Sequence, residues 1–152
     1  MASEDRTFQC VVIAPTGKLL DCRSASVVFP AHDGQVGVLA DHMPMFCKLG
    51  LGIMEVRAVG EGPQVAGPRL LLMDGGFAVV CANLLKVVSY DVVATGETKP
   101  EAIEHVRTAL NKKLHVSTLS ASECLHITRK LSLLDHLVEL SAASHKDPLR
   151  KK

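Results

Sequence analysis

Within seven residues the chain places an acid, a base and a thiol: Asp41, His42 and Cys47. These are the groups of thiol catalysis, in which a thiolate attacks, a histidine takes its proton and an acid orients the ring. The chemistry requires them to meet in space, and a corner histidine beside a structural cysteine spells the same pattern. The structural reading is favoured, so no catalytic residue is assigned. A small thiol hydrolase stands as an alternative. Seven histidines raise the question of a metal. Five of them, His105, His115, His126, His136 and His145, lie in the C-terminal third, and no two are three or four apart, the spacing a helical metal pair needs. The glycines form no phosphate cradle, since neither GxxxxGK[ST] nor a GxGxxG after a strand occurs. No metal and no cofactor are expected.

The residues around Cys47 are positioned by the stretch His32 to Gly52, HDGQVGVLADHMPMFCKLGLG. Asp33-Gly34 before the apolar run Val36 to Leu39 reads as a hairpin turn, both of whose central residues take positive φ. Pro44 fixes its own φ and keeps Met43 extended, so Asp41 to Met45 is a corner between two strands. Upstream, Thr7 to Ala14 reads as a strand with Phe8, Cys10 and Val12 on one face. Pro15-Thr16-Gly17 is a turn, and Lys18 to Arg23 and Ser26 to Pro30 are two further strands. Downstream, Ile53 to Val59 turns Met54, Val56 and Ala58 inward. Gly60 to Pro68 is a loop by composition, and Arg69 to Met73 is an apolar strand. Gly75-Gly76 allows a bend before Phe77 to Ala82, and Lys86 to Ala94 closes the set with Val88, Tyr90 and Val92 alternating. Many short strands between Gly and Pro turns indicate a β-sandwich or barrel.

After Thr95-Gly96 the period changes from two to 3.6. Thr98 and Glu101 spell a capping box, followed by Ile103, Val106, Leu110 and Leu114 at helical spacing. Ser120 and Glu123 spell a second box. It opens a longer helix with Cys124, Ile127, Leu131, Leu134 and Val138 on one stripe, widened by Leu133, Leu137 and Leu140. The short link His115 to Leu119 predicts an antiparallel helical hairpin. The fold class is therefore an all-β sandwich, residues 1–95, followed by a two-helix hairpin with a basic tail, residues 96–152.

Charge supports the division. Residues 1–95 carry 7 basic and 9 acidic groups, and residues 96–152 carry 10 basic and 7 acidic ones. The whole chain of 152 residues has a net charge of +1, which argues against general nucleic-acid binding. No apolar run approaches the roughly 20 residues that span a bilayer, so direct membrane insertion is not expected. Five cysteines without a Cys-x-x-Cys pair suit a reducing compartment. With 3% aromatic residues and no tryptophan, the core must be aliphatic.

Two motifs carry a resemblance. GVLADHMPM, with Gly37, Leu39, His42 and Pro44, resembles the Gly-Ile-Leu/Tyr-Pro-Gly-His-x-Pro-Leu pattern of the rotary ATP synthase epsilon subunits, called delta in mitochondria; Ala40, Asp41 and Met45 depart from it. Asp74-Gly75-Gly76-Phe77 resembles the same family's Ser-Gly-Gly-Phe. The resemblance implies a ten-stranded sandwich with a two-helix domain and a non-catalytic rotor role in the central stalk of a proton-translocating ATP synthase. It implies a gamma-subunit interface at His42, Met43 and Met45, and a turn facing the c-ring at His32, Asp33, Gly34 and Gln35. The helical hairpin would reach the catalytic alpha and beta subunits and restrain hydrolysis. The expected location is peripheral, on the cytoplasmic face of the inner (plasma) membrane. Ile103, Glu104 and Arg107 resemble the Ile/Leu-Asp-x-x-Arg-Ala nucleotide motif of some bacterial members, but Glu104 and Thr108 depart from it; Arg129 or Lys130 on the second helix could add a phosphate contact. Weak ATP binding at most is expected there. A generic β-sandwich interaction module, without an ATPase partner, is the remaining alternative.

Overall fold

The computed structural model describes residues 6–60, 68–94, 100–116 and 118–144. The expected helix cap at Thr98, the junction at 95–96, most of the loop at 60–68 and the basic tail lie outside those residues. The chain divides into two compact units, Met1–Val92 and Val93–Lys152.

The described residues of the first part form nine strands. They are β1 (Phe8–Ala14), β2 (Gly17–Ala31), β3 (Gly34–Leu39), β4 (Met45–Lys48), β5 (Leu51–Ala58), β6 (Arg69–Asp74), β7 (Gly76–Cys81), β8 (Leu84–Ser89) and β9 (Val92–Ala94). Their order is β4-β7-β8-β1-β2-β5-β6-β9, with β3 also on β2. β2 explains how one path makes two layers. Its first half, to Ser24, pairs with β1, and its second half, from Ser26, pairs with β3 on one side and β5 on the other. The register slips between Ser24 and Ser26, so Ala25 is an extra residue at the bend. The two strands expected at Lys18–Arg23 and Ser26–Pro30 are thus halves of one 15-residue strand. Counting β2 in both layers gives two five-stranded sheets.

Two other expectations need correction. The β2–β3 hairpin turns at His32-Asp33, since Ala31 already pairs with Gly34, and of that trio only Gly34 has positive φ. The segment Lys86 to Ala94 is two strands, because Ser89 bends the chain with its hydroxyl, donating to Gly75 O at 2.7 Å and Asp91 O at 3.1 Å. Leu85, Val87 and Ser89 face inward, leaving Val88 and Tyr90 outside. A turn that the sequence reading missed, Ala82-Asn83, joins β7 to β8 with both residues in the left-handed region (φ 49° and 56°), the twist a two-residue hairpin requires.

The core is aliphatic with two phenylalanines, Phe8 and Phe29, packed among Val12, Val27, Leu49, Met54, Leu72, Met73 and Leu85. Gly76 is enclosed by backbone: a Cβ there would lie 2.0 Å from Val88 O, and its φ is 117°.

The second part holds α1 (Pro100–Leu114) and α2 (Ala121–Ser144). Pro100 suits the first turn, where an amide would lack a partner anyway, and Lys112 and Lys113 lie at the negative end of the helix dipole. The capping box on α2 forms. Ser120 N donates to Glu123 Oε2 at 2.8 Å and Glu123 N to Ser120 Oγ at 3.3 Å. The Ser120 amide, then its hydroxyl, holds the Glu123 carboxyl below its ordinary value. Its contribution to the helix start is therefore full above the usual carboxylate range and is lost as pH falls through the lowered value. Ile127, Lys130, Leu134 and Leu137 are the buried positions of α2, while Leu131, Leu133 and Val138 are half-buried and Leu140 is exposed.

Gly76→Ala is expected to destabilise the first unit by at least about 3 kcal/mol, combining a backbone clash with a left-handed alanine. Gly37→Ala, whose Cβ would meet nothing within 4 Å, is expected to stay within about 0.5 kcal/mol. Denaturant unfolding of the two variants checks the contrast.

Candidate functional site

The corner expected to carry the site is built from both ends of a hairpin tip. Asp41 takes φ 61°, and its amide donates to Asn83 Oδ1 at 2.6 Å while Asn83 Nδ2 donates to Asp41 Oδ1 at 2.9 Å. Asn83 O in turn accepts from Gln9 N at 2.9 Å. The corner is thereby fixed to the β7–β8 turn and to the start of β1. Asp and Asn suit these left-handed positions because their short side chains can bond nearby backbone. His42 is half-buried, and its Nδ1 lies 2.8 Å from Met43 O. Met43 is 72% exposed and Met45 half-buried at the start of β4.

This geometry does not assemble a thiol nucleophile. Cys47 pairs opposite Ala78 in the β4–β7 ladder. Burial, then the charge of Asp33, pushes its thiol up, and the His42 Nδ1 is engaged by Met43 O and not by the sulfur.

The turn His32, Asp33, Gly34 and Gln35 is exposed throughout. It lies at the other end of β3 from the Asp41 corner, about 20 Å away at roughly 3.3 Å per residue. Its base is held by His32 N to Lys48 O at 2.9 Å and Gly50 N to Pro30 O at 3.0 Å.

The sequence reading missed the largest feature of this region. On the outer face of β4, β7 and β8, Phe46 lies opposite Val79, and Phe77 opposite Lys48 and Val88. The rings of Phe46 and Phe77 stack with centroids 5.5 Å apart, and Tyr90 meets Phe77 edge-on at 6.3 Å. Phe46 and Tyr90 are 67% and 63% exposed, and Phe77, Val79 and Val88 are also exposed. Lys48 and Lys86 are the charged residues on this face, and Met43 and Leu39 are exposed at the neighbouring corner. Contiguous exposed apolar surface of this kind marks an interaction site. The signal was present in GFAVVC: a strand apolar at both inward and outward positions is one whose two faces both need cover.

The helical candidates meet differently. Arg107 Nη2 donates to Asp135 Oδ1 across the hairpin, and Nη1 lies 3.3 Å from Glu104 Oε1. Thr108 Oγ1 donates back to Glu104 O at 2.8 Å. Ile103 is half-buried and Arg129 exposed. Arg107 thus joins the helices and faces two carboxylates, a poor setting for a phosphate. A shallow open depression on α2 is lined by Ser132, Leu133, Asp135, His136 and Glu139, and by none of the four expected nucleotide contacts.

The profile of the family described as ATP synthase, Delta/Epsilon chain, beta-sandwich domain matches residues 7–95. The chain belongs to this ATP synthase delta/epsilon family. It is 32% identical over 83 residues to the ATP synthase epsilon chain of Rhodopirellula baltica, a stretch covering 55% of this chain and 60% of that one. To the epsilon chain of a Synechococcus strain it is 35% identical over 82 residues, covering 54% and 56%. It therefore spans less than two thirds of the length of these two relatives. A longer match, to the epsilon chain of Desulfitobacterium hafniense, is 25% identical over 138 residues and covers 90% and 96%. Two solved structures share the fold. One is a chain of the Euglena gracilis mitochondrial ATP synthase, OSCP/F1/c-ring, with a TM-score of 0.59 at 18% identity, covering 88% of this chain and 81% of that one. The other is from the Tetrahymena thermophila mitochondrial ATP synthase central stalk/c-ring, with a TM-score of 0.53 at 13% identity, covering 84% and 93%. Against the delta/epsilon pattern, Asp41 stands where glycine is usual, and its left-handed φ shows that the backbone demand is met here by the Asp41–Asn83 pair.

Calorimetry of ATP against the full chain is expected to give a dissociation constant no tighter than roughly 1 mM, about −4 kcal/mol. Micromolar binding abolished by Arg107→Ala would contradict the ion-paired assignment of Arg107.

Proposed function

We propose that the chain is a non-catalytic central-stalk subunit of a proton-translocating ATP synthase. The observation that carries this reading is an apolar, aromatic outer face on the domain that matches the delta/epsilon family. An enzyme would need a convergent set of activated groups, whereas a rotor component needs a rigid body with an adhesive face. The β4–β7–β8 face and the adjoining corner at His42, Met43 and Met45 form the surface for the gamma subunit. Rigid aromatic rings and adaptable methionines are the side chains that anchor such contacts. The turn at His32, Asp33, Gly34 and Gln35 is the contact with the polar loops of the c-ring. It suits this role as an exposed tip on a rigid hairpin, one β3 length from the gamma corner. The subunit sits peripherally on the cytoplasmic face of the membrane as part of the complex. Among the described residues no helix is long and apolar enough to cross a membrane. The helical unit reaches the catalytic alpha and beta subunits and restrains hydrolysis, an assignment supported by its own compactness and its interhelical Arg107–Asp135 tie.

Co-purification with gamma tests the surface. Phe46→Asp with Phe77→Asp is expected to weaken the complex by at least about 2 kcal/mol, roughly 30-fold, as loss of interface anchors does. Met43→Asp with Met45→Asp is expected to weaken it less. Unchanged capture by folded variants of both kinds would remove gamma from this face.

Deleting residues 97–152 is expected to raise the ATPase rate of the assembled complex while the β-unit stays folded. An unchanged rate with normal assembly would remove the regulatory role.

A further inference from the structure

β1 and β2 bring two thiols opposite each other. Cys10 lies directly across from Cys22 in the antiparallel register, and directly opposed residues project from the same side of a sheet. Here that is the core side, where Phe8, Val12, Leu20 and Ser24 are buried around them. The hydrogen-bonding phase follows from a neighbour. Gln9 N donates to Asn83 O beside β8, so Gln9 turns its backbone to β8 and Cys10 turns its backbone to β2. Cys10 and Cys22 are therefore a hydrogen-bonded pair with Cα atoms about 5.5 Å apart, inside the range that disulfides bridge. Both are free thiols. The other two cysteines on named strands have no such partner, since Cys47 opposes Ala78 and Cys81 opposes Leu84.

We propose that Cys10 and Cys22 form a reversible cross-strand dithiol–disulfide site that reacts with small-molecule disulfides. Access sets the order of steps. Cys22 is half-buried with Sγ 3.5 Å from Ser24 Oγ, whereas Cys10 is fully buried. The Cys22 thiolate attacks one sulfur of the small disulfide, forming a mixed disulfide and expelling one small thiolate. The Cys10 thiolate then attacks the Cys22 sulfur, closing the protein S–S bond and expelling the second. The two protons lost by the protein thiols end on the two released thiols, and two electrons pass from the protein to the small disulfide. Burial, then the neighbouring Cys22, pushes the Cys10 thiol up to about 12, so closure is the slow step. Opposed Cβ atoms in a sheet are wider apart than disulfide geometry prefers, so the closed bond is strained, and strained disulfides are the readily reduced ones. The site is thereby a switch and not a permanent staple.

The test uses the full chain with Cys47→Ser, Cys81→Ser and Cys124→Ser, equilibrated in mixtures of glutathione and glutathione disulfide and read by non-reducing peptide mass mapping. The expected result is a cross-linked Cys10–Cys22 peptide, loss of both thiols and full recovery with dithiothreitol. The time course should show a mixed disulfide on Cys22 before the cross-link, and Cys10→Ala should halt there. A folded chain that stays reduced, that stops at a Cys22 mixed disulfide with Cys10 present, or that is modified first at Cys10 would overturn the proposal.

Discussion

The β-unit depends on one corner at which the chain passes repeatedly between its two layers, backbone against backbone. β4 leads to β5 through Gly50, β6 to β7 through Gly75, and β8 to β9 past Tyr90 and Asp91. These passages bond to one another and to the end of β2: Gly50 N to Pro30 O, Gly75 N to Gly50 O, Leu49 N to Gly76 O and Asp74 N to Asp91 O, all between 2.8 and 3.2 Å. Ser89 adds its hydroxyl to the same knot. Buried peptide groups must find partners, and here the partners are other crossings. The glycines follow from that approach: a Cβ on Gly50 would lie 2.9 Å from Ala31 O, and one on Gly52 2.7 Å from Pro30 Cβ.

Fixing the crossings fixes what each strand shows on its outer side. The chain has four phenylalanines and one tyrosine. Phe8 and Phe29 fill the core, and Phe46, Phe77 and Tyr90 are displayed on the surface. The knot also positions the last of these, because Tyr90 lies over Gly75, 3.0 Å from where a Cβ would stand. A sequence sparing of aromatics thus places three of its five outside, in contact with one another. At the far end of β7 and β8, the Asp41–Asn83 clamp ties the corner before β4 to the turn between them.

Much of this was legible in the sequence for a simple reason. Period-two strands bounded by Gly and Pro, and the Ser120–Glu123 cap, are set by local chemistry. The misses are places where tertiary structure decided. One strand looked like two because Ala25 interrupts the alternation at a bend shared by both layers. The stretch Lys86 to Ala94 looked like one strand because nothing in its spelling reveals that Ser89 bonds to Gly75 and Asp91. Ala82-Asn83 carries no glycine to announce a tight turn. On α2 Lys130 is buried although it lies off the expected stripe, while Leu131 and Val138 on that stripe are half-buried and Leu140 is exposed. For the site, the motif residues point to the Asp41 corner but not to the aromatic face beside it, because strand partners of Phe46 and Phe77 are not adjacent in sequence. Arg107 resembles a phosphate contact in sequence because its ion-pair partner, Asp135, lies 28 residues away.

Cys81 offers a probe of docking through the aromatic face, since it is exposed on β7 at the outward positions shared with Phe77 and Val79. The decisive measurement is its alkylation rate, in the chain carrying Cys47→Ser and Cys124→Ser, free and after assembly with gamma. Docking through the aromatic face predicts a rate at least about tenfold slower in the assembly, the protection that burial of the thiol gives. Equal rates in an intact complex would contradict it.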